Sequence, residues 1–148
     1  MERLKIKPAV YIAAKVNNQY LFLRRFNTGY CDGYFTFPSG HVDEGELPIE
    51  AAIREFKEEV DIDIKSSDLK LVHVLYEKDK YMDLYFLFET KDLKPKVNEL
   101  NKSDLLLWVD AGNLNKIKFV PKVKIAFQNI LKGQLFSQIE KGTETNDG

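Results

Sequence analysis

The segment Arg54-Glu55-Phe56-Lys57-Glu58-Glu59 gathers more chemically competent side chains than any other stretch of this sequence. On a helix, positions i, i+3 and i+4 share one face, so Glu55, Glu58 and Glu59 are expected to converge. Three carboxylates within one turn repel each other, with Arg54 and Lys57 as partial compensation. A solvated acidic face is the plainer reading, because charge runs on helices are common. The alternative is a site for a hard divalent cation such as Mg²⁺ or Mn²⁺, which takes carboxylate oxygens and also binds substrate phosphates. The preceding loop, residues 39–46 (SGHVDEGE), favours the second reading, since Gly40 and Gly45 sit where backbone oxygens could join the carboxylates.

The elements that must position this segment follow from periodicity. Pro48 suits a helix's first turn, and Ile49, Ala52, Ile53, Phe56 and Val60 recur at spacings of three and four, predicting a helix over 48–60. Before it, residues 9–16 and 19–25 flank Asn17-Asn18, a hairpin signature, because Asn tolerates the positive φ of a tight turn. Residues 26–33 (FNTGYCDG) read as a loop and residues 34–38 as a short strand ending at Pro38. Beyond the helix, 69–76 and 81–89 predict a second hairpin, 105–109 a further strand, and 119–131 a second helix ending near Gly133. Strands, a helix, more strands and a last helix predict a mixed α/β domain with helices on both faces of a mixed sheet.

Composition narrows the class. A chain of 148 residues with 44% hydrophobic and 30% charged residues suits one soluble core, and no repeat or low-complexity linker divides it. Lys+Arg 22 against Asp+Glu 23 provides no general basic field for a nucleic-acid polymer. The single cysteine, Cys31, excludes an internal disulfide and a multi-cysteine zinc site, and it lacks an evident base partner for a nucleophilic role. His41 reads as a loop residue. No run approaches the length of a membrane span and the N-terminus lacks a signal-type apolar stretch, so a cytoplasmic protein is expected.

Gly40, Glu46, Arg54, Glu55, Phe56, Glu58, Glu59 and Ile62 together resemble the Nudix box: Gly, five residues, Glu, seven residues, Arg-Glu, an apolar residue, any residue, Glu-Glu, any residue, Gly, an apolar residue. The hairpin before it, Phe37-Pro38-Ser39-Gly40-His41 leading in, and Trp108 late in the sheet are similar to the same family of MutT-like hydrolases. One position departs: Asp61 stands where the family has Gly, which normally serves the turn after the helix.

The resemblance implies an α/β/α sandwich over residues 1–135, with 136–148 a frayed tail. It also implies Mg²⁺- or Mn²⁺-dependent hydrolysis of the pyrophosphate linkage of a nucleoside diphosphate joined to another group. The implied metal set is the Gly40 carbonyl, Glu55, Glu58 and Glu59. Arg54 is expected to hold the carboxylates, Glu46 to support them, and either a box glutamate or Glu99 to act as base. Arg24, Arg25 and Tyr34 are candidate substrate contacts, and a small nucleotide is the expected partner, with a homodimer possible for the family. A catalytically weak nucleotide sensor is the competing reading; three mutually repelling carboxylates argue against it, since a pure binder has no need of them.

Overall fold

The computed structural model describes residues 1–100 and 102–140. Its frame is a mixed sheet built on β1 (Lys7–Val16), whose inner residues are buried without a break from Ala9 to Ala14. That run is continuous because both faces are covered. Alternation then splits it cleanly: Ala9, Tyr11 and Ala13 point into one core, and Val10, Ile12 and Ala14 into the other. On the first side lies α2 (Pro121–Leu131), contributing Val123, Ala126 and Phe127; on the second lies α1 (Pro48–Val60), contributing Ala52, Phe56 and Val60. The α/β/α sandwich expected from the sequence is the observed architecture.

β1 turns into β2 (Gln19–Arg25) through Asn17, whose φ of +56° is the left-handed value the hairpin demanded. The two strands pair only beside that turn, at Lys15↔Tyr20 and Val16↔Gln19. They then part. β2 continues against β3 (Phe35–Thr36) and β7 (Ser103–Asp110), while β1 takes β4 (Ser39–His41) on the edge that β2 has left. The other edge of β1 runs parallel to β6 (Tyr81–Thr90) along its whole length, from Lys7↔Tyr81 to Val16↔Thr90. β6 pairs with β5 (Leu69–Glu77) in the second expected hairpin. The splay between β1 and β2, bridged by residues 34–41, opens the sheet where the functional residues collect.

The C-terminal segment departs from the expected tail. Residues 136–139 form β8 (Phe136–Ile139), parallel to β5 from Val74↔Phe136 to Glu77↔Ile139. Buried His73 accounts for the docking: its Nδ1 is 2.8 Å from the Gln134 carbonyl and its Nε2 2.7 Å from Ser137 Oγ. Residues 141–148 lie outside the described residues. No helix among the described residues is long and apolar enough to cross a membrane.

Candidate active site

Helix α1 starts at Pro48, with the Glu50 carboxylate accepting the Leu47 N–H at 2.8 Å, one of the donors a helix N-terminus leaves unpaired. Its apolar stripe is pinned beneath the sheet, so its polar residues can take only certain directions. An α-helix turns about 100° per residue, which sets Glu59 about 40° from Glu55 in one sense and Glu58 about 60° away in the other. Glu55 and Glu59 therefore face the sheet opening. Glu58 faces solvent, its carboxylate 3.4 Å from Arg54 Nη1. The expected convergence of three box glutamates is thus a convergence of two.

The third carboxylate comes from outside the helix. The backbone N–H groups of Lys96 and Asn98 donate to the carbonyls of Val60 (3.1 Å) and Glu59 (2.9 Å), and Asn98 Nδ2 donates to the Glu58 carbonyl at 3.1 Å. These carbonyls belong to the last turn of α1 and lack intrahelical partners, so the loop docks by satisfying them. The docking carries Glu99 to the cluster, and one carboxylate oxygen each from Glu55, Glu59 and Glu99 lie within 4.8 Å of one another.

Such crowding of like charge has titration consequences. Burial, reinforced by the Glu55 charge, pushes the Glu59 carboxyl well above the ordinary glutamate value, while the Ser39 N–H, 3.3 Å from Oε1, and the Lys102 charge work the other way. Glu55 is also pushed up by burial, offset by Arg54. A divalent cation would relieve both groups, and the residues present fit one. The fit extends to Gly40, held by β4 against β1 at Val10↔Gly40. The Glu55 carboxylate occupies the space a Cβ there would need, so only glycine leaves room for that side chain.

Arg54 is the hub of the cluster. It donates to Glu46 through Nε at 2.7 Å and Nη2 at 3.0 Å, to the His41 carbonyl at 3.0 Å and to Glu55 at 2.8 Å. The guanidinium pulls the Glu46 carboxyl down to about 2, assisted by the Asp43 N–H. Glu46 thereby ties the loop to the helix as a supporting acid outside the carboxylate cluster. At the far end of α1, Asp61 adopts φ +61° and ψ +40°, the left-handed conformation otherwise suited to Gly. Its N–H caps the helix on the Lys57 carbonyl at 3.0 Å, and its carboxylate meets Lys57 at 3.1 Å and Lys96 at 3.3 Å. The helix exit is therefore intact despite the substitution.

Glu55, Glu59 and Gly40 line one end of an open cleft of about 860 Å³. Arg25 also lines it, with Nε donating to the Tyr30 carbonyl at 2.6 Å. Arg24 points elsewhere, in a two-pronged pair with Asp104 at 2.8 and 2.9 Å. Tyr34 is buried in the core rather than lining the cleft, with Lys118 4.2 Å from its ring centroid. The other end, toward α2 as the carboxylates lie toward α1, holds residues that sequence reasoning missed: Tyr11, Glu77, Tyr81 and Lys122. A signal existed for their neighbourhood, because Asp83 falls on the inward parity of β6 with Tyr85, where a charge requires a buried partner.

The NUDIX domain model matches residues 5–128, and this chain belongs to the Nudix family. It is 30% identical over 119 residues to the 8-oxo-dGTP diphosphatase of Escherichia coli strain K12, covering 79% of this chain and 89% of that one. It is 32% identical over 104 residues to the asymmetrical bis(5'-nucleosyl)-tetraphosphatase of Sus scrofa, covering 64% and 68%. Among solved structures, a MutT NUDIX hydrolase from Burkholderia pseudomallei superposes with a TM-score of 0.73 at 22% identity, over 84% of this chain and 97% of that one. These matches bear out the expectation of an enzyme of the pyrophosphohydrolase class.

Proposed function

We propose that this protein hydrolyses the pyrophosphate linkage of a small nucleotide, a nucleoside diphosphate joined to a further group, with Mg²⁺ or Mn²⁺ as cofactor. The observation that carries the reading is the meeting of Glu55, Glu59 and Glu99 at one end of a cleft large enough for a nucleotide. Glu55, Glu59 and the Gly40 carbonyl would hold the cation, which would supply charge neutralisation at phosphate and lower the pKa of bound water, with Glu99 beside them free to act on that water. Glu58, the remaining box glutamate, would add its charge from the solvent side, where it now faces Arg54.

The chain's own groups divide the remaining work. Glu99 stands on a loop docked to α1 by backbone hydrogen bonds, and it takes the proton of the attacking water in this reading. Arg54 fixes Glu55 by a charge-assisted hydrogen bond and so sets where that carboxylate points. Arg25 and Lys102 line the same cleft and offer positive charge to the phosphate chain. The related 8-oxo-dGTP diphosphatase and dinucleoside tetraphosphatase make oxidised nucleoside triphosphates and dinucleoside polyphosphates the first substrates to try.

The test is phosphate or pyrophosphate release from a panel of NTPs, dNTPs, oxidised nucleotides, ADP-ribose, dinucleoside polyphosphates and sugar nucleotides, with either cation. Turnover abolished by Glu59→Gln supports the reading and identifies the substrate. Binding without turnover across the panel overturns it in favour of a sensor. Within the reading, Glu99→Gln is expected to lower kcat by about 10²-fold or more; wild-type turnover in that variant would remove Glu99 as the base.

A further inference from the structure

The far end of the cleft contains an arrangement that hydrolysis of a pyrophosphate does not require. Lys122, in the first turn of α2, is 8% exposed, and its ammonium lies 3.0 Å from Glu77 Oε1 and 3.0 Å from Asp83 Oδ2. Glu77, at the end of β5, is 2% exposed, and Asp83, on β6, is not exposed at all. The two strands of one hairpin and a helix that begins well beyond it in the chain each contribute one buried charge. Lys122 and Glu77 line the cleft, whereas Asp83 lies behind them.

Buried ionic groups of this kind rarely improve on apolar packing, because desolvation consumes most of their mutual attraction. Their presence on the floor of a substrate cleft therefore asks for another explanation. The group sums to one positive and two negative charges, so it does not attract a phosphate. A neutral polar group is what it can hold. The Lys122 ammonium has three N–H bonds; one is donated to Glu77 Oε1 and Asp83 Oδ2 stands 3.0 Å away as an ion pair, so a carbonyl oxygen in the cleft can take another. Glu77 presents carboxylate lone pairs to an N–H donor beside it. The surrounding walls are aromatic: Tyr11, stacked on Tyr85, and Tyr81, stacked on His41, line the same space, with the Lys122 ammonium 4.5 Å from the Tyr81 ring centroid. A planar heterocycle meets rings so engaged at their edges. Neither Asp83 carboxylate oxygen accepts a hydrogen bond among the described residues; burial works against the Lys122 charge, and Tyr11, Asp83 and Glu77 together hold the ammonium protonated.

We propose that Lys122 and Glu77, backed by Asp83, form a base-reading site that selects nucleotides whose base presents a carbonyl oxygen next to a ring N–H, as guanine and thymine do and adenine and cytosine do not. The proposal rests on the nucleotide-hydrolase reading and adds the specificity of the opposite end of the same cleft. Lys122 donates to the carbonyl and Glu77 accepts the ring N–H, while the phosphates extend toward Glu55, Glu59 and Glu99. Both residues are specificity-determining and neither takes part in bond cleavage.

The experiment compares kcat/KM for dGTP, dTTP, dATP and dCTP in wild type, Glu77→Gln and Lys122→Arg. In parallel, ligand-observed NMR ranks binding of the four nucleoside monophosphates, which does not depend on turnover. A wild-type preference of at least about tenfold for dGTP and dTTP is expected, since a site built to pair polar edges rejects the analogue that leaves them unpaired. Glu77→Gln is expected to bring that ratio toward one, through KM more than kcat, and Lys122→Arg to retain part of it. A folded variant in which all four substrates fall equally, or a wild type indifferent to the base, overturns the proposal. Should both variants fail to fold, the wild-type rankings alone decide. Wild-type preference for dGMP and dTMP without turnover of any member of the wider nucleotide panel would overturn the hydrolase reading and leave the base site standing. Equal turnover of all four would do the reverse.

Discussion

The two ends of the cleft solve the same problem in opposite ways. Each collects buried or half-buried carboxylates, and each must account for their charge. At the far end the protein supplies its own cation, Lys122, in contact with Glu77 and Asp83. At the near end Glu55, Glu59 and Glu99 gather with Arg54, shared with Glu46 and Glu58, 2.8 Å from Glu55 and exposed Lys102 3.5 Å from Glu99. A carboxylate cluster whose cations are shared or solvent-exposed is suited to accept another cation from outside. One with a buried ammonium in contact with both its carboxylates is suited to a neutral guest. The contrast explains why burial pushes the Glu59 carboxyl so far up while Lys122 keeps its proton despite burial.

Removing one charge from each end should therefore have effects of opposite sign. Glu59→Gln takes away a ligand and a source of repulsion at once. Turnover is expected to fall by about 10³-fold or more, while urea unfolding in EDTA shows a variant at least as stable as wild type. Loss of stability together with activity would mean that Glu59 is a packing residue. Lys122→Met removes the ammonium that stands 3.0 Å from each of two buried carboxylates and should destabilise by about 3–5 kcal/mol. Adding Glu77→Gln and Asp83→Asn to it should recover most of that loss, and failure to recover would show that Lys122 matters for its packed stem.

Gly40→Ala tests the near end without altering its charge. Its Cβ would land on the Glu55 carboxylate, so that group or β4 must move. A fall of about 10–100-fold in activity, with weaker Mn²⁺ binding by isothermal titration, is the expected size for a displaced ligand. Titration gives a further separation. In metal-free protein Glu55 and Glu59 bind protons more readily folded than unfolded, so their contribution makes stability fall as pH rises from about 4.3. Glu46 has the opposite sign: its carboxyl sits near 2, so its stabilising contribution is complete above about pH 4.3 and is lost as pH drops toward 2. Unfolding curves in EDTA from pH 4 to 8 should decline less steeply for Glu59→Gln than for wild type, and an unchanged slope would place the titration elsewhere.

How far the sequence disclosed this arrangement depended on how local each part is. Helix α1 falls at residues 48–60 as its apolar period indicates, and the hairpin turns at Asn17 as its type indicates. The spacing of Arg54 from Glu46 and Glu55 already placed all three on one loop–helix junction. Glu58 was harder, because i+3 and i+4 positions share a broad face and only the depth at which Phe56 and Val60 are buried decides which side meets the cleft. Lys122, Glu77 and Asp83 were not legible as a group: the β5–β6 hairpin brings Glu77 near Asp83, whose register partner is Leu75, but only the placement of α2 brings Lys122 to them. The strand β8 was hidden for a similar reason: four residues carry little periodicity, and their docking depends on His73, over sixty positions earlier.

Asp61 yields the smallest effect and the finest test of what the box glycine does. The residue pays a conformational penalty at φ +61° that Gly would not, yet its carboxylate pairs with Lys57 and Lys96, which draw its pKa below the ordinary aspartate value. Both pairs are solvent-exposed, and exposed pairs contribute about 0.2–1 kcal/mol at most. Relief of a left-handed Asp is of similar size, because Asp tolerates that region better than most residues. Asp61→Gly should thus shift stability by less than about 1 kcal/mol and leave turnover intact. Asp61→Val, which keeps neither the pairs nor the tolerance, should destabilise by about 1–3 kcal/mol. The loop at Lys96 and Asn98 docks beside this turn, so Asp61→Val should also loosen Glu99 and lower kcat. A valine variant with wild-type kcat would show that the backbone hydrogen bonds to Val60 and Glu59 hold the loop without help from the turn.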